Sequence, residues 1–349
     1  MPIDHSRKSR SSRLQRVFSG ALAGLAGAAC SGPYPQSTLD PVSEFGAAID
    51  NLFVGIFWWA VVVFVVVEGL LLFTIIKFRA QPGRPKPKFI HGHTLLEITW
   101  TLAPAVILVL IAVPTIRTIF EHDGSAPENA LVVEVVGHQW WWEYRYPEYG
   151  IVTATEMHIP RGRPIALEMT SADVIHSFWI PRLGGKRDVL MGRVSRLAFT
   201  ADSSGRFLGQ CAEFCGESHA NMRATVVVEE LAEFEAWVAG QTTTPSPIDS
   251  LSPLERRGAE EFTRVRDPAS NSCMVCHAVA GVSFGVLGPN LTHLASRRTI
   301  AGGILESGEE GLRRWLRDPP GAKPGSLMPR IDLTEEEIDA LVAYLRALD

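Results

Sequence analysis

Two short stretches of this chain concentrate residues that bind metals. Residues 209–222 read GQCAEFCGESHANM, with Cys211, Cys215, His219 and Met222 spaced four, four and three apart. Thiolate, imidazole and thioether together suit copper, whereas zinc makes little use of methionine. A mononuclear blue copper site needs one cysteine. Two thiolates in one loop can instead bridge two metal ions, and a shared electron then changes the geometry of each centre little. A fourth strong ligand is required, and His176 in SADVIHSFWIP, in a loop between predicted strands, is the best candidate. The other reading of the loop is a Cys211–Cys215 disulfide with incidental histidine and methionine. The second stretch, NSCMVCHAVA at 271–280, could hold haem, zinc, a redox dithiol or a disulfide loop. The compartment decides among these.

Two apolar runs lie ahead of both stretches, LFVGIFWWAVVVFVVVEGLLLFTII at 52–76 and LLEITWTLAPAVILVLIAVPTI at 95–116. Each is near or above the roughly 20 residues that cross a bilayer, and neither carries the polar stripe of a soluble core helix. Both are read as transmembrane helices. The segment between them, 77–94, bears Lys77, Arg79, Arg84, Lys86 and Lys88, and its basic stretch has no acidic residue, the mark of a cytoplasmic loop. Residues 1–30 contain RKSRSSRLQR followed by the small-residue apolar stretch VFSGALAGLAGAAC, which resembles an export signal whose break before Cys30 looks like a bacterial lipoprotein site. Residues 31–51 then form an extracytoplasmic segment, and everything after Arg117 is outside as well. There, unprotected thiols become disulfides. A net charge of -5 gives no reason to expect nucleic acid as a partner.

From about 130 to 228 the runs LVVEVV, RPIALEMTS, VSRLAFTAD and ATVVVEE alternate between turn clusters, the pattern of an antiparallel β-sandwich. ELAEFEAWVAG reads as a short helix, closing a domain over 117–240. The polar, Pro- and Thr-rich segment 241–251 is a linker. At 252 a second domain begins, where Ser252, Pro253 and Glu255 fit a helix N-cap, N1 and N3. Its last helix starts at Thr334, with Ile338, Leu341, Val342 and Leu345 on one face. The fold class is therefore a multidomain membrane protein: two transmembrane α-helices, a cupredoxin-like antiparallel sandwich and an all-α domain. On this extracytoplasmic helical domain, with no second cysteine pair to complete a zinc site and no βαβ setting for a dithiol, CMVCH is a covalent haem c site. Cys273 and Cys276 form the thioethers and His277 is an axial ligand. Met328 is the methionine after Met274 in the sequence and the expected second ligand.

With both membrane helices, DVIHSFWIPRLGGKRD and CAEFCGESHANM, the region from about 38 to 230 resembles the copper A domain of cytochrome c oxidase subunit II. GPNLTHLASR and PGSLMP resemble class I cytochrome c over 252–349. The arrangement resembles subunit II of a bacterial caa3-type oxidase. The resemblance implies His176, Cys211, Cys215, His219 and Met222 as side-chain copper ligands, and Glu213 as a ligand through its backbone carbonyl. It implies a magnesium ion held through the Glu213 side chain at the contact with subunit I. Trp140, the first tryptophan of GHQWWWEYRY, is implied as an electron entrance, and Glu97 in LLEITW as the acidic residue at the mouth of a proton channel. Asp173 and Asp188 match acidic positions without an assigned role, and Glu68 in the first membrane helix is expected to face another subunit.

The implied function is to relay electrons from a cytochrome c donor, through haem c and copper A, to haem in subunit I. Oxygen is reduced there with proton translocation, and no catalytic residue lies in this chain. Subunits I and III and a donor cytochrome are the implied partners, in a bacterial plasma membrane. The alternatives are the corresponding subunit of a copper-containing nitric oxide reductase and, from another class, a copper-delivery or free carrier protein. The linker implies a flexible tether that makes the haem, rather than Trp140, the entrance.

Overall fold

A computed structural model of the chain describes residues 34–83, 91–267 and 271–349. The expected signal, the Cys30 site and the loop residues Arg84, Lys86 and Lys88 lie outside the described residues.

The two apolar runs form helices α1 (Glu44–Phe78) and α2 (Thr94–Glu121), which pack on each other. At about 1.5 Å per residue they span about 50 and 40 Å. Their apolar side chains are exposed along their length, a surface that fits lipid. Both helices outrun the apolar segments that announced them. The N-terminal end of α1 lies against the sandwich: Ser43 caps it, accepting from Gly46 N at 3.0 Å and donating from Oγ to Leu183 O at 2.7 Å. Val42 and Phe45 are buried in the sandwich core, and Phe45 stacks on His122 just past α2 at 4.7 Å. Hydropathy marks where a helix meets lipid, while capping and packing set where it stops.

Ten strands then build the sandwich. The first sheet contains β1 (Leu131–His138), β2 (Trp141–Tyr146), β3 (Ile151–Ala154), β5 (Pro164–Ser171) and β8 (Ser195–Thr200), in the order β3-β2-β1-β5-β8. The second contains β4 (Glu156–Pro160), β6 (His176–Trp179), β7 (Arg187–Val189), β9 (Gly205–Cys211) and β10 (Arg223–Glu229), in the order β4-β10-β9-β6-β7. Pairing is mostly antiparallel, with one parallel pair in each sheet, β1 with β5 and β10 with β4. The aromatic run is strand β2: Trp142, Tyr144 and Tyr146 point into the core with no exposure, as the period of two requires. Helix α3 (Leu231–Gln241) closes the domain through buried Phe234.

After a short 3-10 turn at Ile248–Ser250 the helical domain begins with α4 (Pro253–Thr263). The single turn α5 (Cys273–Cys276), α6 (Glu309–Arg317), α7 (Pro319–Ala322) and α8 (Glu335–Arg346) follow. Both expected N-caps are complete capping boxes, Ser252 with Glu255 and Thr334 with Glu337. Helices α4 and α8 cross closely because position 258 is glycine; a Cβ there would lie 2.0 Å from Ala340 O. Phe262, Ile338, Leu341, Tyr344 and Leu345 make the core around that crossing.

The helical domain is seated on the sandwich rather than hanging from the linker. Buried Glu156 accepts from Thr299 Oγ1 at 2.9 Å and Arg298 N at 3.2 Å, and Arg223 N donates to Gly302 O at 3.0 Å.

Candidate functional site

Strand β9 delivers Cys211 at its end, and the loop that follows folds back so that Cys211 N donates to Met222 O at 2.9 Å. This closure brings the loop's donors together. The two sulfurs lie 3.7 Å apart as free thiols, well beyond the roughly 2.05 Å of a disulfide bond. His219 Nδ1 is 3.6 Å and Met222 Sδ 3.9 Å from Cys215 Sγ. The Glu213 carbonyl is 3.2 Å from Cys211 Sγ, and His176 Nδ1, from the first residue of β6, is 3.9 Å from it. His176, Cys211, Cys215 and Met222 are buried. Their donor set of two thiols, two imidazoles, a thioether and a carbonyl fits copper.

Neighbours orient the donors. Asp173 Oδ1 accepts from His176 Nε2 at 2.8 Å, which leaves Nδ1 as the lone-pair nitrogen towards the sulfurs. Burial alone would raise the Asp173 pKa, but bonds from His176, Val174 N and Gln139 N outweigh it and hold the carboxyl below its usual range. The thiols share protons: Cys211, bonded to Cys215 and beside His176, ionises far more readily than a free cysteine, and Cys215 correspondingly less. Gly137 on β1 leaves room for the imidazole, since a Cβ there would lie 2.7 Å from His176 Cδ2. The Cys215 carbonyl accepts from Gln139 Nε2 at 2.8 Å and from Trp140 Nε1 at 2.9 Å.

A cavity of about 370 Å³ lies in the helical domain. Cys273, Cys276, His277 and Met328 line it together with apolar side chains such as Leu294, Leu316 and Leu341. His277 Nδ1 lies 2.9 Å from Pro289 O, so the proton sits on Nδ1 and Nε2 keeps its lone pair. Burial lowers its pKa and keeps the ring neutral, the state a metal needs. Glycines hold the cavity open: a Cβ at Gly288 would meet the His277 ring at 2.6 Å. These residues fit a covalent haem. Arg297, also on the wall, is buried with Nε unpartnered while Nη2 donates to Pro-flanked Asn290 O at 2.5 Å. Burial brings its pKa down to about 10, and a buried cation with a spare donor suits the carboxylates such a group carries.

Trp140 belongs to both places. It lines the haem cavity from the sandwich side, is 7 % exposed, and bonds the copper loop through its indole. The remaining expectations fare differently. Glu97 is exposed in the first turn of α2, its carboxylate accepting from His93 N at 3.2 Å. The Glu213 carboxylate accepts from its neighbour Phe214 N at 3.3 Å, and the grouped metal-binding side chains among the described residues are His176, Cys211 and Cys215, without Glu213. Glu68 is half-buried on α1, and Asp188 lies in β7. Gln139, Asp173 and Arg297 gained their places only through contacts that no spacing announces.

The architecture defines a class: a membrane-anchored subunit whose part beyond the two helices joins a copper-type sandwich to a haem-type helical domain. Residues 39–118 match the family described as cytochrome c oxidase subunit II, transmembrane domain, residues 150–231 its periplasmic domain, and residues 263–349 cytochrome c. Cytochrome c oxidase subunit 2 of Alkalihalophilus pseudofirmus is 38 % identical over 328 residues, covering 91 % of this chain and 92 % of that protein. The subunit of the same name from Bacillus subtilis is 33 % identical over 350 residues, covering 94 % and 96 %. Among solved structures, the periplasmic domain of subunit II of the cytochrome oxidase of Bradyrhizobium japonicum is 34 % identical, covering 34 % of this chain and 96 % of that one, with a TM-score of 0.33. The chain belongs to the cytochrome c oxidase subunit 2 family, in the form that carries a C-terminal cytochrome c domain.

Proposed function

We propose that this chain is the electron-transfer subunit of a caa3-type haem-copper oxidase, with the haem of residues 252–349 as the entrance and Trp140 as the bridge to the copper loop. When bound, the haem and the copper pair each accept and release single electrons. Cys273 and Cys276 would hold the haem covalently, and His277 and Met328 would bind its iron. His176, Cys211, Cys215, His219, Met222 and the Glu213 carbonyl would hold two copper ions. The observation that carries this reading is the double contact of Trp140, on the haem cavity wall and, at 2.9 Å, on the Cys215 carbonyl.

The chain's own residues do three things. Asp173 holds His176 in the tautomer that presents Nδ1. The burial of His176, Cys211, Cys215 and Met222 keeps water from these donors, so little solvent must reorganise when charge arrives. Gln139 and Trp140 tie the loop to the strand that follows β1, which keeps donor and acceptor at a constant separation. Outside this relay, the family likeness favours subunit I, and with it subunit III, as permanent partners, a cytochrome c as donor, and an extracytoplasmic face of a bacterial plasma membrane for both outer domains. The basic residues Lys77 and Arg79 at the inner end of α1 support that orientation. Glu97 at the start of α2 would lie at the inner surface, where it could feed protons to subunit I, and Glu213 would face a magnesium ion shared with it.

The test is Cys215→Ser in the full-length subunit. The mixed-valence copper signal in electron paramagnetic resonance should vanish while the haem spectrum persists; a retained signal would refute the paired copper site.

A further inference from the structure

Lys323 stands in the KPG segment between α7 and Met328, and it is 3 % exposed. Its ammonium donates to two backbone carbonyls, Trp140 O at 2.5 Å and Ala301 O at 2.8 Å. The first acceptor belongs to the sandwich and the second to the haem domain. Lysine is almost never fully buried without an anionic partner, because desolvating its charge is costly. Burial here brings its pKa down to about 7. An apolar side chain would fill the same volume without that cost, so the amine's contribution must be its two bonds.

The surroundings leave no space for a looser arrangement. Ala301, Gly302 and Gly303 all adopt positive φ, of 56, 71 and 88°. A Cβ on Gly302 would lie 2.3 Å from Lys323 Nζ and 2.5 Å from Trp140 O. Gly325, at φ 77°, would bring a Cβ to 2.9 Å from both Glu217 Oε2 and Trp140 Cη2. Ser218 Oγ, on the copper loop, donates to Pro324 O. The segment that carries Met328 is thus pressed on the same tryptophan whose indole bonds Cys215.

We propose that Lys323 is a positioning residue for electron transfer between the two domains: its amine bridges the Met328-bearing segment to Trp140 and so sets the distance from the haem cavity to the copper loop. The proposal rests on the haem and copper reading above. Tunnelling falls exponentially with separation, so loosening this bridge should slow that one step and leave both metal centres intact.

The experiment uses the complete oxidase containing full-length subunit with Lys323→Met, which keeps the bulk and removes the donors, and with Lys323→Gln, which keeps two N–H donors without charge. Rapid-mixing reduction by the donor cytochrome should show haem reduction at the unaltered rate and copper reduction slowed severalfold in Lys323→Met. Lys323→Gln should be faster than Lys323→Met. The haem potential, the methionine-ligation band and the copper signal should stay unchanged in both. An unaltered copper reduction rate in Lys323→Met, equal loss in both variants, or slowing accompanied by loss of the methionine-ligation band would overturn the bridge. Absence of haem or copper signals in the unsubstituted oxidase would instead overturn the reading on which it rests.

Discussion

The carboxylate of Asp173 acts on the copper loop without reaching it. It accepts a hydrogen bond from His176 Nε2 at 2.8 Å and is itself held by Gln139 N and Val174 N, each at 2.6 Å. A histidine fixed in this way cannot turn the wrong nitrogen to the metal. Asp173→Asn weakens that hold, and copper affinity should fall by about 10–100-fold, as measured by copper titration of the full-length subunit, with haem content unaltered. Met328 makes the complementary case in the other domain. As the proposed second ligand, its thioether would favour reduced haem iron, so Met328→Leu should lower the haem potential in a redox titration while the copper signal stays normal.

At the scale of elements, single glycines decide whether strands and helices approach closely enough. Gly137 on β1 lies against the His176 ring and Gly258 on α4 against the backbone of α8. A methyl group at either must force the neighbouring element outward, and such overpacking costs about 1–3 kcal/mol. The consequences should separate by domain. Gly137→Ala should reduce copper occupancy and leave the haem spectrum unchanged. Gly258→Ala, whose Cβ would meet a carbonyl at 2.0 Å, should lower the thermal midpoint of the haem domain with the copper signal retained. Thermal melts followed separately at haem and copper absorption bands distinguish the two outcomes.

For the whole molecule, the seated haem domain changes how electrons can reach the copper loop. Trp140 is covered, so a separate carrier has no direct access to it while the domain is in place. A correctly inserted Cys276→Ala subunit that still binds copper should therefore accept electrons from the native donor more slowly; an undiminished rate would show that the seated domain is bypassed. Orientation is tested in the linker, where Ser246 is exposed. A cysteine placed there should react with an impermeant thiol reagent only from the extracytoplasmic face of intact cells.

The sequence by itself determined whatever depends on neighbours along the chain. Cys211, Cys215, His219 and Met222 sit in one loop, and Cys273, Cys276 and His277 in one turn and its cap, so their spacing already limits which metal chemistry they can do. The apolar runs of α1 and α2 and the capping boxes at Ser252 and Thr334 are local in the same sense. Parallel pairing of β1 with β5 was not legible, because inward and outward residues alternate identically in parallel and antiparallel strands. Nor was the seat of the haem domain: the Thr- and Pro-rich linker reads as a flexible tether, and residues far apart in the chain, Glu156, Ser218, Arg223 and Lys323 among them, bind the two domains together. A buried amine between two carbonyls carries no periodic signal. Its meaning comes from the surfaces that meet around it, and those exist only after both domains have folded.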